Sequence, residues 1–122
     1  MEIVISSLSV LVSLTLLNVW LLRFNKATSY RGGGAQNMRQ EFQVYGLPGW
    51  MVPVIGSLKV LLAMLLITSL WIPVVLKPSA YLIASLMLAA VIMHLKAQDS
   101  FKKLIPATLL LLASLFIGMS GG

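Results

Sequence analysis

Four stretches of this chain are almost wholly apolar, and short polar gaps separate them. They cover about residues 3–22, 51–72, 79–95 and 105–119. A helix rises ~1.5 Å per residue, so roughly 20 residues cross a hydrocarbon core ~30 Å thick. The first two stretches meet that length. The last two are shorter and predict helices that stand nearly upright or thin the bilayer locally. The pattern predicts an all-α membrane protein: one domain over residues 1–122, built as a four-transmembrane-helix bundle. The first stretch opens with Met1-Glu2 instead of basic residues, and no Ala-x-Ala-like cleavage site follows, so it is expected to be a retained helix and not a cleaved signal.

Within each stretch, small residues recur at helical spacing: Ser6, Ser9 and Ser13 in the first; Gly56 and Ala63, with Lys59 beside them, in the second. Ala80, Ala84 and Met87 do so in the third, continuing to Val91 and His94, and Ala107, Ser114 and Gly118 in the fourth. Lipid tails are as apolar as leucine, so helices associate through close packing, which small residues permit. These stripes are the expected inward faces. Pro73 and Pro78 bracket the connection between the second and third helices, and Pro106 is expected at the start of the fourth, where its missing N–H costs little. Trp50 and Trp71 flank the second helix, at the two membrane–water interfaces.

The first gap has a pattern of its own. After the break at Gly32-Gly33-Gly34, Ala35, Met38, Phe42 and Tyr45 recur at helical spacing, with Gln36, Arg39, Gln40 and Gln43 on other faces. This predicts a short amphipathic helix over about 35–45, ended by Gly46 and Pro48. Its apolar face predicts a helix lying in the membrane interface, with Phe42 and Tyr45 dipping into the bilayer. The alternative is a cap over the end of the bundle.

Composition narrows the function classes. Hydrophobic residues make up 59% of the 122, and 10% are charged. The net charge of +6 does not point to nucleic acid, because the basic residues lie in the gaps between spans, where they face lipid headgroups. The chain has no cysteine, which excludes disulfides, thiolate catalysis and cysteine-ligated clusters. One histidine and three acids leave little for a metal site. No nucleophile–base pair or phosphate-binding loop is visible, so the chain is not expected to be an enzyme on its own.

The polar residues that remain gather at one end. Lys59 lies roughly two turns inside the second span, at a cost of ~2.5–3.5 kcal/mol on insertion scales. It either binds an anionic or carbonyl-bearing ligand or snorkels to the interface. His94 ends the third helix and Asn18 lies toward the same face on the first. A polar pocket of Asn18, Lys59 and His94 is the candidate site, with Arg39, Glu41, Phe42, Tyr45 and Asp99 as loop contacts around it. For His94 itself the expected reading is an interfacial anchor, with a base in that pocket as the alternative.

The run Glu41-Phe42-Gln43-Val44-Tyr45-Gly46-Leu47-Pro48-Gly49-Trp50 precedes Ile55-Gly56-Ser57-Leu58-Lys59. Ala90-Val91-Ile92-Met93-His94 closes the third helix, and Asp99 and Lys102-Lys103-Leu104-Ile105-Pro106-Ala107 follow. In order and spacing, over roughly residues 38–117, this resembles the DoxX-like family of small four-helix membrane proteins. Lys59 stands where many members of that family carry glutamate, and Asn18 to Lys26 replaces the Gly-x-x-Lys associated with the wider family. The resemblance implies a bacterial cytoplasmic membrane protein. It also implies two roles: a subunit linked to quinone oxidoreduction, with quinone as the ligand to consider, or an assembly factor for larger membrane proteins. The residues themselves favour an accessory or assembly subunit, since that role needs no catalytic group. A quinone-linked subunit would rely on Lys59 and His94 and on a partner for its redox chemistry. A small-molecule transporter ranks last, because Glu2 lies only at the edge of the first helix. A glutathione-using membrane enzyme is discounted, because Arg31, Ala35, Asn37 and Glu41 do not meet that spacing. The expected partners are the lipid bilayer and either a larger membrane complex or further copies of the chain.

The gaps after the first and third helices carry Arg23, Lys26, Arg31, Arg39, Lys96, Lys102 and Lys103; the opposite side carries Lys77. The positive-inside rule puts the basic gaps in the cytoplasm and both termini outside. With no native cysteine, Ser29→Cys and Gly121→Cys test this: in intact cells an impermeant thiol reagent is expected to label position 121 and spare position 29, and the reverse pattern inverts the topology.

Overall fold

The structure is a computed structural model that describes residues 2–22 and 35–120. The glycines at 32–34, and Arg23, Lys26 and Arg31, which weigh on the orientation, lie outside the described residues. Helix α1 (Glu2–Leu17) runs into a π-helical turn, Asn18–Leu22; α2 (Met38–Val44) is short. Helix α3 spans Met51–Thr68, a 3₁₀ turn at Pro73–Val75 leads into α4 (Leu76–Lys96), and α5 spans Phe101–Ser120. Four segments, Ile3–Leu22, Met51–Thr68, Pro73–Lys96 and Phe101–Ser120, are long and apolar enough to cross a membrane. In sequence these are the four expected spans. Helix α1 packs on α3, α3 on α4, α4 on α5 and α5 back on α1, which closes a four-helix bundle.

The helix ends differ from the sequence expectation wherever proline is involved. Helix α3 stops at Thr68, short of 72, because Ile72 precedes Pro73 and is pushed out of the helical region, to φ −122° and ψ 83°. Helix α4 starts before Pro78, not after it, since the N–H groups of a first turn have no partner to lose. Helix α5 begins at Phe101, so Pro106 lies inside it and forfeits the bond to the Lys102 carbonyl.

The small-residue stripes do face inward. Ser9, Ser13, Ala63, Ala80 and Ser114 are fully enclosed, and Gly56, Ala84, Met87, Ala107 and Gly118 are buried. Ser6 is the exception: it is exposed and Ile5 is buried instead, because at 3.6 residues per turn Ile5 lies nearer the centre of the arc set by Ser9, Val12 and Leu16. Around the stripes, Val12, Leu66, Ile83 and Ile117 form the middle of the core. A second cluster, Trp20, Met38, Phe42 and Val52, occupies the end of the bundle under α2.

Hydrocarbon offers no hydrogen bonds, so hydroxyls on the spans fold back onto their own helices. Ser9 Oγ donates to the Ile5 carbonyl at 2.8 Å, Thr68 Oγ1 to Met64 at 2.8 Å and Ser79 Oγ to Val75 at 2.6 Å. Among the described residues the buried Ser13 and Ser114 hydroxyls have no such partner, so their small size explains their place. Ser114→Ala is expected to be neutral or to stabilise by up to about 1 kcal/mol, since it removes an unsatisfied hydroxyl. Ser114→Leu is expected to destabilise by about 1–3 kcal/mol through overpacking. Thermal unfolding in one detergent compares the two.

Candidate functional site

The sequence builds α2 with a stop and a start of its own. The Asn37 side chain accepts from the Gln40 N–H at 2.9 Å, and the Gln40 side chain accepts from the Gln36 N–H at 2.8 Å, a reciprocal cap on the first turn. At the other end Gly46 has φ +75°, and its N–H bonds Gln43 O while Leu47 N–H bonds Phe42 O, both at 3.0 Å. This pair of bonds reverses the chain, and the left-handed residue between them favours glycine. The helix so placed turns Met38, Glu41, Phe42 and Tyr45 inward, all of them buried. The expectation that α2 lies in the interface, with Phe42 and Tyr45 in lipid, is therefore corrected. The helix caps the bundle, because Phe42 finds an apolar partner in Trp20 and Tyr45 finds polar partners on α4.

Those polar partners form one connected group. The Tyr45 hydroxyl donates to Glu41 Oε1 at 2.9 Å and stands 3.3 Å from His94 Nδ1 and 3.4 Å from Nε2. Its ring meets the imidazole edge-on, with centroids 5.7 Å apart. His94 Nδ1 lies 2.7 Å from Asp99 Oδ2; a carboxylate accepts, so the proton of this bond sits on Nδ1. Lys103 Nζ approaches the other Asp99 oxygen at 3.9 Å, and Lys96 Nζ donates to the Tyr45 carbonyl at 3.4 Å. The His94 and Asp99 side chains are 8% and 3% exposed, so this pair is a buried contact within the chain.

What brings Asp99 back to His94 is a turn the sequence reading missed. Asp99 N–H bonds His94 O at 3.0 Å and Gln98 N–H bonds Leu95 O at 3.1 Å, with Gln98 at φ 57°. This is the same helix-ending pair of bonds as at Gly46, but with glutamine in the left-handed position that glycine usually fills. No glycine flags it, and five residues separate His94 from Asp99, one more than helical spacing would suggest.

Lys59 belongs to a different group. Its ammonium lies over the Trp20 ring, 5.3 Å from the centroid, and the Glu41 carboxylate attracts it. Trp20 is fixed on two sides. It meets Phe42 edge-to-face, with centroids 6.1 Å apart and planes at 88°. It also lies against the bare backbone of Gly56, where a Cβ would stand 2.6 Å from the ring. Asn18 opens the π-helical turn that carries Trp20, and among the described residues it hydrogen-bonds to neither Lys59 nor His94. Among the described residues no hydrogen bond joins the three residues of the expected pocket, and Glu41 stands between two of them, bonded to the Tyr45 that touches His94 and attracting Lys59. Instead, His94 joins Glu41, Tyr45 and Asp99, while Lys59 joins Trp20. Arg39 is exposed and forms part of the rim of an open groove of about 570 Å³ that runs past Trp20 along α3. Among the described residues no three His, Asp or Glu side chains are arranged to hold a metal ion.

His94→Ala is expected to destabilise the protein by about 3 kcal/mol, because it takes the imidazole away from one oxygen of the buried Asp99 carboxylate. Tyr45→Phe, which removes one hydroxyl, is expected to cost about 1–3 kcal/mol. Gly56→Ala drives a methyl into Trp20 and is expected to cost as much as a core overpacking, about 1–3 kcal/mol. Thermal unfolding of the purified variants measures all three.

No curated protein and no solved structure matches the chain. The DoxX-like family matches residues 10–116, from within the first span to within the fourth, with the capping helix and both polar groups between them. The chain is a multi-pass membrane protein that belongs to the DoxX-like family.

Proposed function

We propose that this protein is an accessory or assembly subunit of a larger membrane complex, held in a bacterial cytoplasmic membrane with its basic loops in the cytoplasm. The observation that carries this reading is where the polar groups are spent. Glu41, Tyr45, His94 and Asp99 bond to one another beneath α2, and Lys59 lies over Trp20. These groups tie the helices together. Meanwhile 22–33% of the residues in each span are fully buried within the chain, and the others keep part or all of their surface outward. Outward helix faces in a membrane are met by lipid or by other helices, through van der Waals packing. A partner would supply whatever chemistry the complex performs.

One observation favours a second reading, a subunit of a quinone-linked oxidoreductase. The run from Asp99 through His94 and Tyr45 to Glu41 is a continuous series of groups that exchange protons. It starts beside Lys103, near the polar end of the bundle, and ends at the carboxylate that attracts Lys59. A lipid-soluble carrier that takes up protons on reduction would need such a series. A transporter draws on the same series and adds no observation of its own.

Native mass spectrometry of the protein extracted from its own host in a mild detergent separates these readings. A stoichiometric second membrane protein is the expected result. A lone chain or homo-oligomer that carries quinone, and loses it in Tyr45→Phe, would replace the accessory reading with the second one.

A further inference from the structure

His94 is the one histidine of the chain, and imidazole is the side chain whose charge ordinarily changes near neutral pH. It lies where the cap is fastened to α4. Tyr45, the residue that ends α2, makes that fastening at two points: its hydroxyl stands against the imidazole, and its carbonyl accepts from Lys96 Nζ at 3.4 Å. The first point depends on where the protons are. The Tyr45 hydroxyl has a single proton, and it goes to Glu41 Oε1 at 2.9 Å. Its oxygen can then offer His94 only lone pairs. The imidazole already donates its Nδ1 proton to Asp99 Oδ2 at 2.7 Å. In the neutral ring Nε2 is therefore an acceptor, and its polar neighbour among the described residues is the Tyr45 oxygen, 3.4 Å away, which has no proton left to give. Two acceptors face each other where the His94 side chain is 8% exposed, so water offers little relief. In the imidazolium that conflict disappears. Nε2 gains a proton, both nitrogens share the charge, and an oxygen 3.3 and 3.4 Å from them is attracted by both.

We propose that His94 is a proton-operated latch on the cap. As the imidazolium it holds Tyr45, and α2 stays closed over Trp20 and the end of the bundle. As the neutral imidazole it gives up that hold, and α2 loosens about the turn that follows it. Gly46 and Gly49 leave this turn room to move, since nothing lies within 4 Å of where a Cβ would stand at either. Closure takes up a proton, so acid tightens the cap and rising pH loosens it. The charges around the ring are arranged for this. Asp99, on the turn after α4, and Glu41, on α2 behind Tyr45, are the acids on its side. The cations stand one group further out: Lys103 of α5 on the far Asp99 oxygen at 3.9 Å, Lys96 on the Tyr45 carbonyl, and Lys59 of α3 attracted to Glu41. Arg39 and Lys102 are exposed, and the turn Asn18–Leu22 brings no charge. The latch goes beyond both functional readings and depends on neither.

The chain has no cysteine, so Met38→Cys and Gln43→Cys each put a single thiol on α2, the first at a buried position and the second at an exposed one. The full chain is held in nanodiscs and labelled with a maleimide across the pH range. Dividing the rate at position 38 by the rate at position 43 removes the reagent's own pH dependence. Nitrogen NMR of the single histidine reports its charge in the same samples. Between about pH 6 and about pH 9 the ratio is expected to rise roughly five-fold as the imidazolium is lost, the difference between a charge-assisted contact and a neutral one. Tyr45→Phe is expected to leave His94 titrating and to flatten the ratio. His94→Gln, which keeps a donor for Asp99 but does not titrate, is expected to flatten it as well. A ratio that stays constant while the imidazole titrates overturns the proposal. So does an imidazole that keeps one charge state across the range, or a rise that persists in Tyr45→Phe, which would mark a general loosening of the bundle end. The two curves with Tyr45 and His94 in place decide by themselves even where a variant does not fold. The assay needs neither a partner protein nor a quinone, so it stands or falls apart from both functional readings.

Discussion

Hydrocarbon cannot hydrogen-bond, and that single constraint organises the basic end of this bundle. An Asp99 carboxylate with 3% of its surface exposed has to be met by protein, and the group that meets it is His94. His94 in turn needs Tyr45, and Tyr45 reaches it only if α2 folds down over the helix ends. The cap is therefore a consequence of the polar residues as much as of the apolar ones. Phe42 and Met38 alone would be as content in the membrane interface as under it. The bond the aromatic hydroxyl donates to Glu41 on its own helix and its contact with His94 on α4 make the difference between a helix floating at the surface and one closing the bundle.

Much of the architecture was legible because it rests on counting. Span length, helical periodicity and the burial of small residues all follow from 3.6 residues per turn and a fixed membrane thickness, and residues such as Ala63, Ala84 and Gly118 fell on the inward face as their spacing required. Ser6 and the ends of α3, α4 and α5 show where counting loses its grip. Near a terminus the buried arc drifts, and a proline acts differently in a first turn than in a second. The candidate site was legible only as a region. Which residue touches which depends on two features without a local signature: a π-helical turn that aims Trp20 at Gly56, and a reversal at Gln98 made without glycine. Lys59 and His94, the two residues that composition alone makes conspicuous, end up with different direct partners, with Glu41 between them, for that reason.

The two groups do different physical work. The one around His94 is a closed set of hydrogen bonds, demanding in geometry and costly to break, and it holds the cap to α4. The one around Trp20 is softer: a cation on a ring face, one ring edge on another, and a ring against bare backbone. It joins α1, α2 and α3 and forms one wall of the open groove. A small bundle with little interior thus spends rigid polar contacts on closure and leaves its aromatic contacts beside the lipid.

The π-helical turn at Asn18–Leu22 has a further consequence, for how relatives of this chain are aligned. Such a turn is in effect one extra residue taken into a helix without breaking it. A homologue that lacks it would place its tryptophan a position earlier, although its helix still enters and leaves the membrane at the same points. Alignment would then require a single-residue gap within an apolar stretch, near its end, where gaps are usually refused, and without that gap everything on one side would be compared out of phase by about 100° around the helix axis.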